Sequence, residues 1–278
     1  MQKPAFTTVV RRQLGRRLRF FRDQAGIIPD DVARAKIAHR TKLWRYETGQ
    51  ARVRTSDVMA LCHLCAVDYE TTDDLVRMAD ASDERNYIED DRGKGVEDRY
   101  WMHADLEVLA SVQVEYSADL VPELLQIPAY THAVLAVDML LPEGVVERRG
   151  AFQERRRETF FGRDEPGRIE FLIPASVLEL VVGSPEIMAE QIAHLVTMDG
   201  RDEVGIRVLP GLHSQPGGSF TLMDFDDPDD PSVVCTSCLV GSRYVERPEQ
   251  VARYREVVGM LRKRSVPLVD HLCGRATP

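Results

Sequence analysis

Between His39 and Arg45 the sequence reads HRTKLWR, and its chemistry-bearing side chains are cations and hydrogen-bond donors rather than nucleophiles. On a helix, Leu43 and Tyr46, three apart, face inward. His39, Arg40, Thr41, Lys42, Trp44 and Arg45 then face outward, a polar and basic set able to meet base edges and phosphates. A second helix of this kind lies in the DNA major groove. Arg52 and Arg54, just beyond it, fall where a loop touches phosphate. Arg11 and Arg12, with Arg16, Arg19 and Arg22, lie largely off the apolar stripe of the first helix, on a face expected to cross the DNA backbone.

Two other clusters have the spacing of chemical sites. Cys62 and Cys65 flank His63 on a predicted helix, and Cys235 and Cys238 form a second CxxC. A structural zinc site needs four ligands. The second pair sits in a strand-like run, where residues three apart point to opposite faces, and the two pairs fall in different predicted domains. Structural burial of the cysteines, with no metal and no cofactor, is the expectation. The glycine-rich stretch GLHSQPGGSF, with His213 and Ser214, lacks the Lys-Ser/Thr ending of a phosphate loop and reads as a surface loop. No HExxH or paired-carboxylate pattern occurs, so no catalytic residues and no enzyme are expected.

The elements that must position the basic set are helices. The first is expected over Thr8–Ala25, with Val10, Leu14, Leu18 and Phe21 as its buried stripe. A short helix opens at Pro29, followed by Asp30 and Asp31, which favour the positive end of its dipole. A tight turn near Ile37 and Ala38 then leads into the helix that ends at Gly49. A fourth helix, capped by Ser56 or Asp57, buries Val58, Leu61 and Leu64, and a fifth starts at Thr72. Residues 1–82 thus read as a small all-α domain. Residues 83–99 carry seven acidic residues, six of them from 83 to 97, and the glycines at 93 and 95, the composition of a linker.

Residues 100–278 read as a mixed α/β regulatory and dimerisation domain. Trp101–Tyr116 is expected to be a helix, with others after Pro128, over Gly144–Phe161, from Pro185 and from Pro248. RIEFLI, GIRVLP, SFTLMDF and SVVCTSCLV are strand candidates, the middle two joined by the glycine-rich loop. Arg155, Arg156 and Arg157 read as a solvated or ion-paired face beside Glu147, Glu154 and Glu158. The whole is a multidomain chain: an all-α helix-turn-helix head and an α+β body.

Charge agrees with that division. Residues 1–54 hold 14 Lys and Arg against 4 Asp and Glu, a balance of +10, whereas the rest carries −19 of a chain total of −9. Phosphate binding is therefore confined to the head. No apolar run is long enough to span a bilayer, and the N-terminus lacks a signal-peptide layout, so a cytoplasmic protein without membrane contact is expected.

The spacing of Ala33, Leu43 and Glu47, with Glu47-Thr48-Gly49 closing the helix, resembles the XRE (Cro and phage-repressor-like) helix-turn-helix. LWRYETGQ, followed in order by VPELLQIPAY, EIMAEQIAHL and VGIRVLPGLHSQPGGSFTLMDF, is similar to a narrower group, the actinobacterial antitoxin-like regulators with a large effector-like second domain. Ile37 stands where that group has its turn glycine, Lys36 where it has a core leucine, and VVCTSCL where relatives carry a tyrosine and a glutamate. The resemblance implies a regulator of transcription whose second domain senses a small molecule or docks a small partner protein. Its alternative is an interaction module that neutralises a partner and binds DNA only to autoregulate. Helix-turn-helix physics adds a homodimer on double-stranded DNA, because one helix reads too few base pairs for useful specificity.

Overall fold

The computed structural model describes residues 8–82, 86–90, 101–137, 145–211, 217–226, 230–238 and 241–275. Two compact units divide the chain, residues 1–87 and 88–278. Thus an all-α helix-turn-helix unit precedes a mixed α/β unit.

The first unit has five helices: α1 (Val9–Gln24), α2 (Pro29–Arg34), α3 (Arg40–Glu47), α4 (Thr55–Leu64) and α5 (Tyr69–Asp80). Thr8 caps α1 by accepting from the Arg11 N–H, and its hydroxyl donates to the Ser82 carbonyl at 2.5 Å, which joins the two ends of the unit. Val10, Leu14 and Leu18 are buried as spaced, but Phe21 is only half-buried and Arg22 continues the stripe inward. Helix α5 begins at Tyr69, earlier than expected, because Asp68 accepts from the Thr71 N–H as its cap. In α4 the cap position belongs to Arg54, and Asp57 points instead at α3.

The turn between α2 and α3 departs from expectation. The left-handed residue is Lys36, with φ of 58°, and not Ile37. The Ile37 N–H bonds the Val32 carbonyl and the Lys36 N–H bonds the Ala33 carbonyl, the paired bonds of a Schellman cap. This geometry leaves Ile37 half-buried after the helix stop.

The second unit is built on a mixed sheet of seven strands, β2 (Val112–Tyr116), β3 (Arg168–Pro174), β4 (Val204–Leu209), β5 (Phe220–Asp224), β6 (Val233–Cys238), β7 (Gly241–Val245) and β8 (Val266–Pro267), in spatial order 7-6-5-2-3-4-8. A further strand, β1 (Asn86–Asp90), lies at its edge beside β7, inside the stretch expected to be linker. The rest of that stretch lies outside the described residues. Strands β2, β3 and β4 are parallel, and β5, β6 and β7 run antiparallel on the far side of β2. The expected helix over Trp101–Tyr116 is therefore two elements, α6 (Trp101–Leu109) and the central strand β2. Val114 and Tyr116 alternate with Gln113 and Glu115, the period of a strand. Strands β4 and β5 follow one another in the chain, as expected, but β2 and β3 lie between them in the sheet. The loop residues His213 and Ser214 lie outside the described residues.

Both faces of the sheet are covered. Ile169, Phe171 and Ile173 pack with residues of α7 (Pro128–Ala136), α8 (Val145–Phe161), α9 (Ala175–Glu179), α10 (Pro185–Asp199) and α12 (Leu268–Arg275). Leu172, on the opposite face of the same strand, packs with Val251, Val258 and Leu261 of α11 (Pro248–Arg264). Each face thus buries its own apolar cluster, the arrangement required of parallel strands. No helix among the described residues is long and apolar enough to cross a membrane.

Candidate nucleic-acid interface and a polar cavity

Helix α3 is two turns long and is held from three sides. Leu43 and Tyr46 are buried beneath it at 1% and 2% exposure, as their spacing predicts. Helix α1 crosses at Gly15, where a Cβ would fall 2.3 Å from the Tyr46 carbonyl oxygen, so only glycine permits the approach. The Lys42 ammonium and the Tyr46 hydroxyl both donate to the Asp57 carboxylate, at 2.9 and 2.7 Å, tying α3 to α4. Burial would raise the Asp57 pKa, but the two donors outweigh it and hold the carboxyl below its usual range.

At its C-terminal end α3 is held by Arg22, whose guanidinium donates to both Glu47 oxygens, at 2.6 and 3.1 Å. The hydrogen bond to Glu47 raises the Arg22 pKa against the opposing effect of burial. Arg22 was expected on a DNA-facing arginine face; it is instead a buried anchor. Its clue lies in the sequence, since Leu14, Leu18 and Arg22 recur at four-residue intervals along the buried stripe.

The expected interface residues divide accordingly. His39, Arg40, Thr41, Trp44 and Arg45 are exposed on or just before α3. His39 also caps the helix, its Nδ1 accepting from the Lys42 N–H at 3.2 Å. Arg40 is exposed and pairs with Asp30 of α2. Trp44, 53% exposed, borders a cleft shared with Ile28, Pro29 and Arg40. Lys42 is partly covered and committed to Asp57. Arg52 and Arg54 are exposed beyond the helix, and Arg11 is half-buried. Arg12 does not share this surface. It is 5% exposed, and a Cβ on Gly49 would fall 2.9 Å from its Cα and Cγ. Gly49, with φ of 70°, lets the chain after α3 pass against Arg12. Arg12 is therefore part of the packing between α1 and the end of α3.

The second unit holds a cavity of about 410 Å³ on the sheet face beneath α6, α7 and α8. Its floor is a row of side chains from adjacent strands: Glu115 on β2 faces Thr221 on β5, which faces Cys235 on β6. Over this row lies a buried charge cluster. Arg156 of α8 donates to both oxygens of Glu107 on α6, at 2.8 and 2.7 Å, and to Glu123 at 2.5 Å. His103 stands 3.4 Å from Glu107 and within hydrogen-bonding reach of Cys235. Burial alone would raise the Glu107 carboxyl, but Arg156 and His103 overcome it and hold it at about 2. Burial would likewise lower His103, but Cys235 and Glu107 reverse the direction and keep the ring protonated.

From the sequence, Arg156 reads as part of a solvated or ion-paired face beside Glu147, Glu154 and Glu158; it is ion-paired, but buried and with partners on α6 and on the turn at Glu123, remote in sequence. Cys62, Cys65, Cys235 and Cys273 form no disulfide: Cys62 and Cys235 are buried, Cys65 is half-buried and Cys273 is exposed. Among the described residues no group of three or more His, Cys, Asp or Glu could hold a metal ion.

Comparison with known families agrees with both units. A helix-turn-helix domain profile matches residues 13–75, which span α1 to the middle of α5. No curated protein and no solved structure matches the chain. A second profile, described as a domain of unknown function (DUF5753), matches residues 102–270, more than half of the chain and all but the edges of the α/β unit. The chain belongs to the DUF5753 family, with a DNA-binding helix-turn-helix at its N-terminus.

Proposed function

We propose that this protein is a cytoplasmic, sequence-specific transcriptional regulator, active as a homodimer, whose α/β unit is a non-catalytic sensor. The observation that carries the reading is the construction of α3. Its inner face is locked by Leu43, Tyr46, Arg22 and Asp57, while Thr41, Trp44 and Arg45 stand exposed at i, i+3 and i+4. Residues so spaced project together, and the side-chain types suit base edges and a thymine methyl. A rigidly held reading helix is what discrimination between bases requires, since a mobile one would lose its directed hydrogen bonds.

The likeness to antitoxin-like regulators leaves two roles for the second unit, sensing a small molecule or docking a small protein. The 410 Å³ cavity favours the small molecule, because concave sites of this size with a few convergent polar groups are built for ligands. Membership of the XRE group and of the actinobacterial antitoxin-like group rests on the ordered sequence likeness.

The test is selection of bound duplexes from a random pool by the full chain. The expected product is a motif of two half-sites spaced by about one helical turn, roughly 10 base pairs. The double variant Thr41→Ala, Arg45→Ala should fold and lose the enrichment. Failure of the unmodified chain to enrich any motif would remove the regulator reading.

A further inference from the structure

We infer that the cavity above β2, β5 and β6 binds a small molecule bearing a protonated amine or guanidinium on a partly apolar body, with Glu115 as the counter-charge. The inference rests on the sensor reading of the second unit and gives its ligand a chemical class.

The middle of a covered sheet ordinarily carries apolar side chains, as β3 and β4 do at Ile169, Phe171, Ile206 and Val208. On the same face, one strand away, the chain spends Glu115, Thr221 and Cys235 on adjacent strands in register. Their opposite-face neighbours Val114, Leu222 and Val234 are an apolar cluster. The polarity is therefore specific to the cavity face. Buried polar groups without compensation cost free energy, so this arrangement suits a site completed by a ligand.

Charge matching identifies the ligand's sign. Arg156 is shared between Glu107 and Glu123, and His103 faces Glu107. These two cations are thus already answered by carboxylates, and Arg149, the remaining cation of the lining, interacts with Glu123. Among the described residues no hydrogen bond or ion pair holds the Glu115 carboxyl, which is the unmatched group. A second anion would meet Glu107, Glu115 and Glu123 and be repelled. A cation would find in Glu115 a partner inside a low-dielectric site, where a charge-assisted hydrogen bond is strong. Leu120, Val134 and Leu135 supply the wall for an apolar body.

The test uses the full chain and three phenyl probes of equal size: phenethylamine, 2-phenylethanol and phenylacetate. Isothermal titration and thermal unfolding are measured with each at pH 8. The amine should bind at least tenfold more tightly than either analogue and raise the melting temperature; Glu115→Gln should abolish that preference. Should the variant fail to fold, the ranking of the three probes on the unmodified chain still decides. Equal binding of the alcohol or the carboxylate, or no binding of the amine at 10 mM, overturns the inference. Sequence selection on DNA, run on the same preparation, separates the two claims: a motif recovered without amine binding leaves the regulator standing and this ligand class refuted.

Discussion

The Arg22 guanidinium on α1 grips both oxygens of the Glu47 carboxylate at the end of α3 and also donates to the Ile27 carbonyl at 2.9 Å. One side chain thereby fixes the reading helix against α1 and satisfies the chain where it leaves α1. The pair is buried, with both side chains 9% exposed. Removing one member of such a pair leaves the other charged, desolvated and alone, at a cost of about 3–5 kcal/mol. Arg22→Ala and Glu47→Ala should each lower the unfolding transition of the helical unit, followed by circular dichroism. Arg22→Met combined with Glu47→Leu should recover most of the loss, because no charge is then stranded. A double variant as unstable as the sum of the singles would show that burial of the ions is not the cause.

The αL position at Lys36 yields an opposite sign. A residue with a Cβ held at φ of 58° carries a strain of ~1 kcal/mol that glycine avoids. Lys36→Gly should therefore stabilise the helical unit by about 1 kcal/mol, a rise of several degrees in its melting temperature. Ile37→Gly should destabilise it, since Ile37 is half-buried and lies outside the left-handed region. The reverse order in a thermal melt would place the turn one residue later.

How far the sequence carries depends on the range of the interactions. The burial of Leu43 and Tyr46 and the alternation in RIEFLI follow from periodicity, which is local. The strand at Val112–Tyr116 escaped because the preceding WMHADLEVL has a helical pattern that runs into it without a glycine or proline. Ala110 and Ser111 make the break, and the pairing of β2 with β3 and β5 supplies the extended conformation. The partners of Arg22 and Arg156 are missed for the same reason: their carboxylates lie 25 and 49 residues away, beyond the helical neighbours that periodicity offers. The cavity was illegible because its polar floor is assembled from strands β2, β5 and β6, and only the sheet order makes them neighbours.

The cavity-lining Glu115 makes stability depend on pH. Burial pushes its carboxyl from an ordinary 4.5 up to about 7, with Glu107 and Glu123 adding to the rise and Arg156 and His103 opposing it. The folded chain then binds this proton more tightly than the unfolded chain. Between pH 4.5 and 7 the folded state holds more protons, so the group's contribution to stability falls as pH rises through that window. Glu115→Gln removes the term. Without ligand it should match the unmodified chain near pH 4.5 and exceed it above pH 7, by at most ~3 kcal/mol. Denaturant melts of the α/β unit across pH 4.5 to 8 would reveal the divergence. Curves that stay parallel would mean that Glu115 ionises without penalty.

Arg45 and Arg52 separate specificity from charge. Arg45 is exposed on α3, four residues after Thr41, so the two project together toward the groove, where arginine makes a bidentate contact to guanine. Arg52 is exposed beyond the helix, where a cation meets the phosphate backbone. Arg45→Ala should cost on the order of 1–3 kcal/mol on the selected motif and far less on random duplex, relaxing preference at one base pair per half-site. Arg52→Ala should weaken motif and random duplex alike and reduce the slope of log affinity against log salt by about one per monomer. Titrations of both variants on both duplexes, at several salt concentrations, distinguish the roles. If Arg45→Ala lowers both affinities equally, Arg45 touches phosphate and the reading face of α3 is rotated away from it. Trp44 and Arg40, which border the neighbouring cleft with Pro29, would then be the next residues to replace.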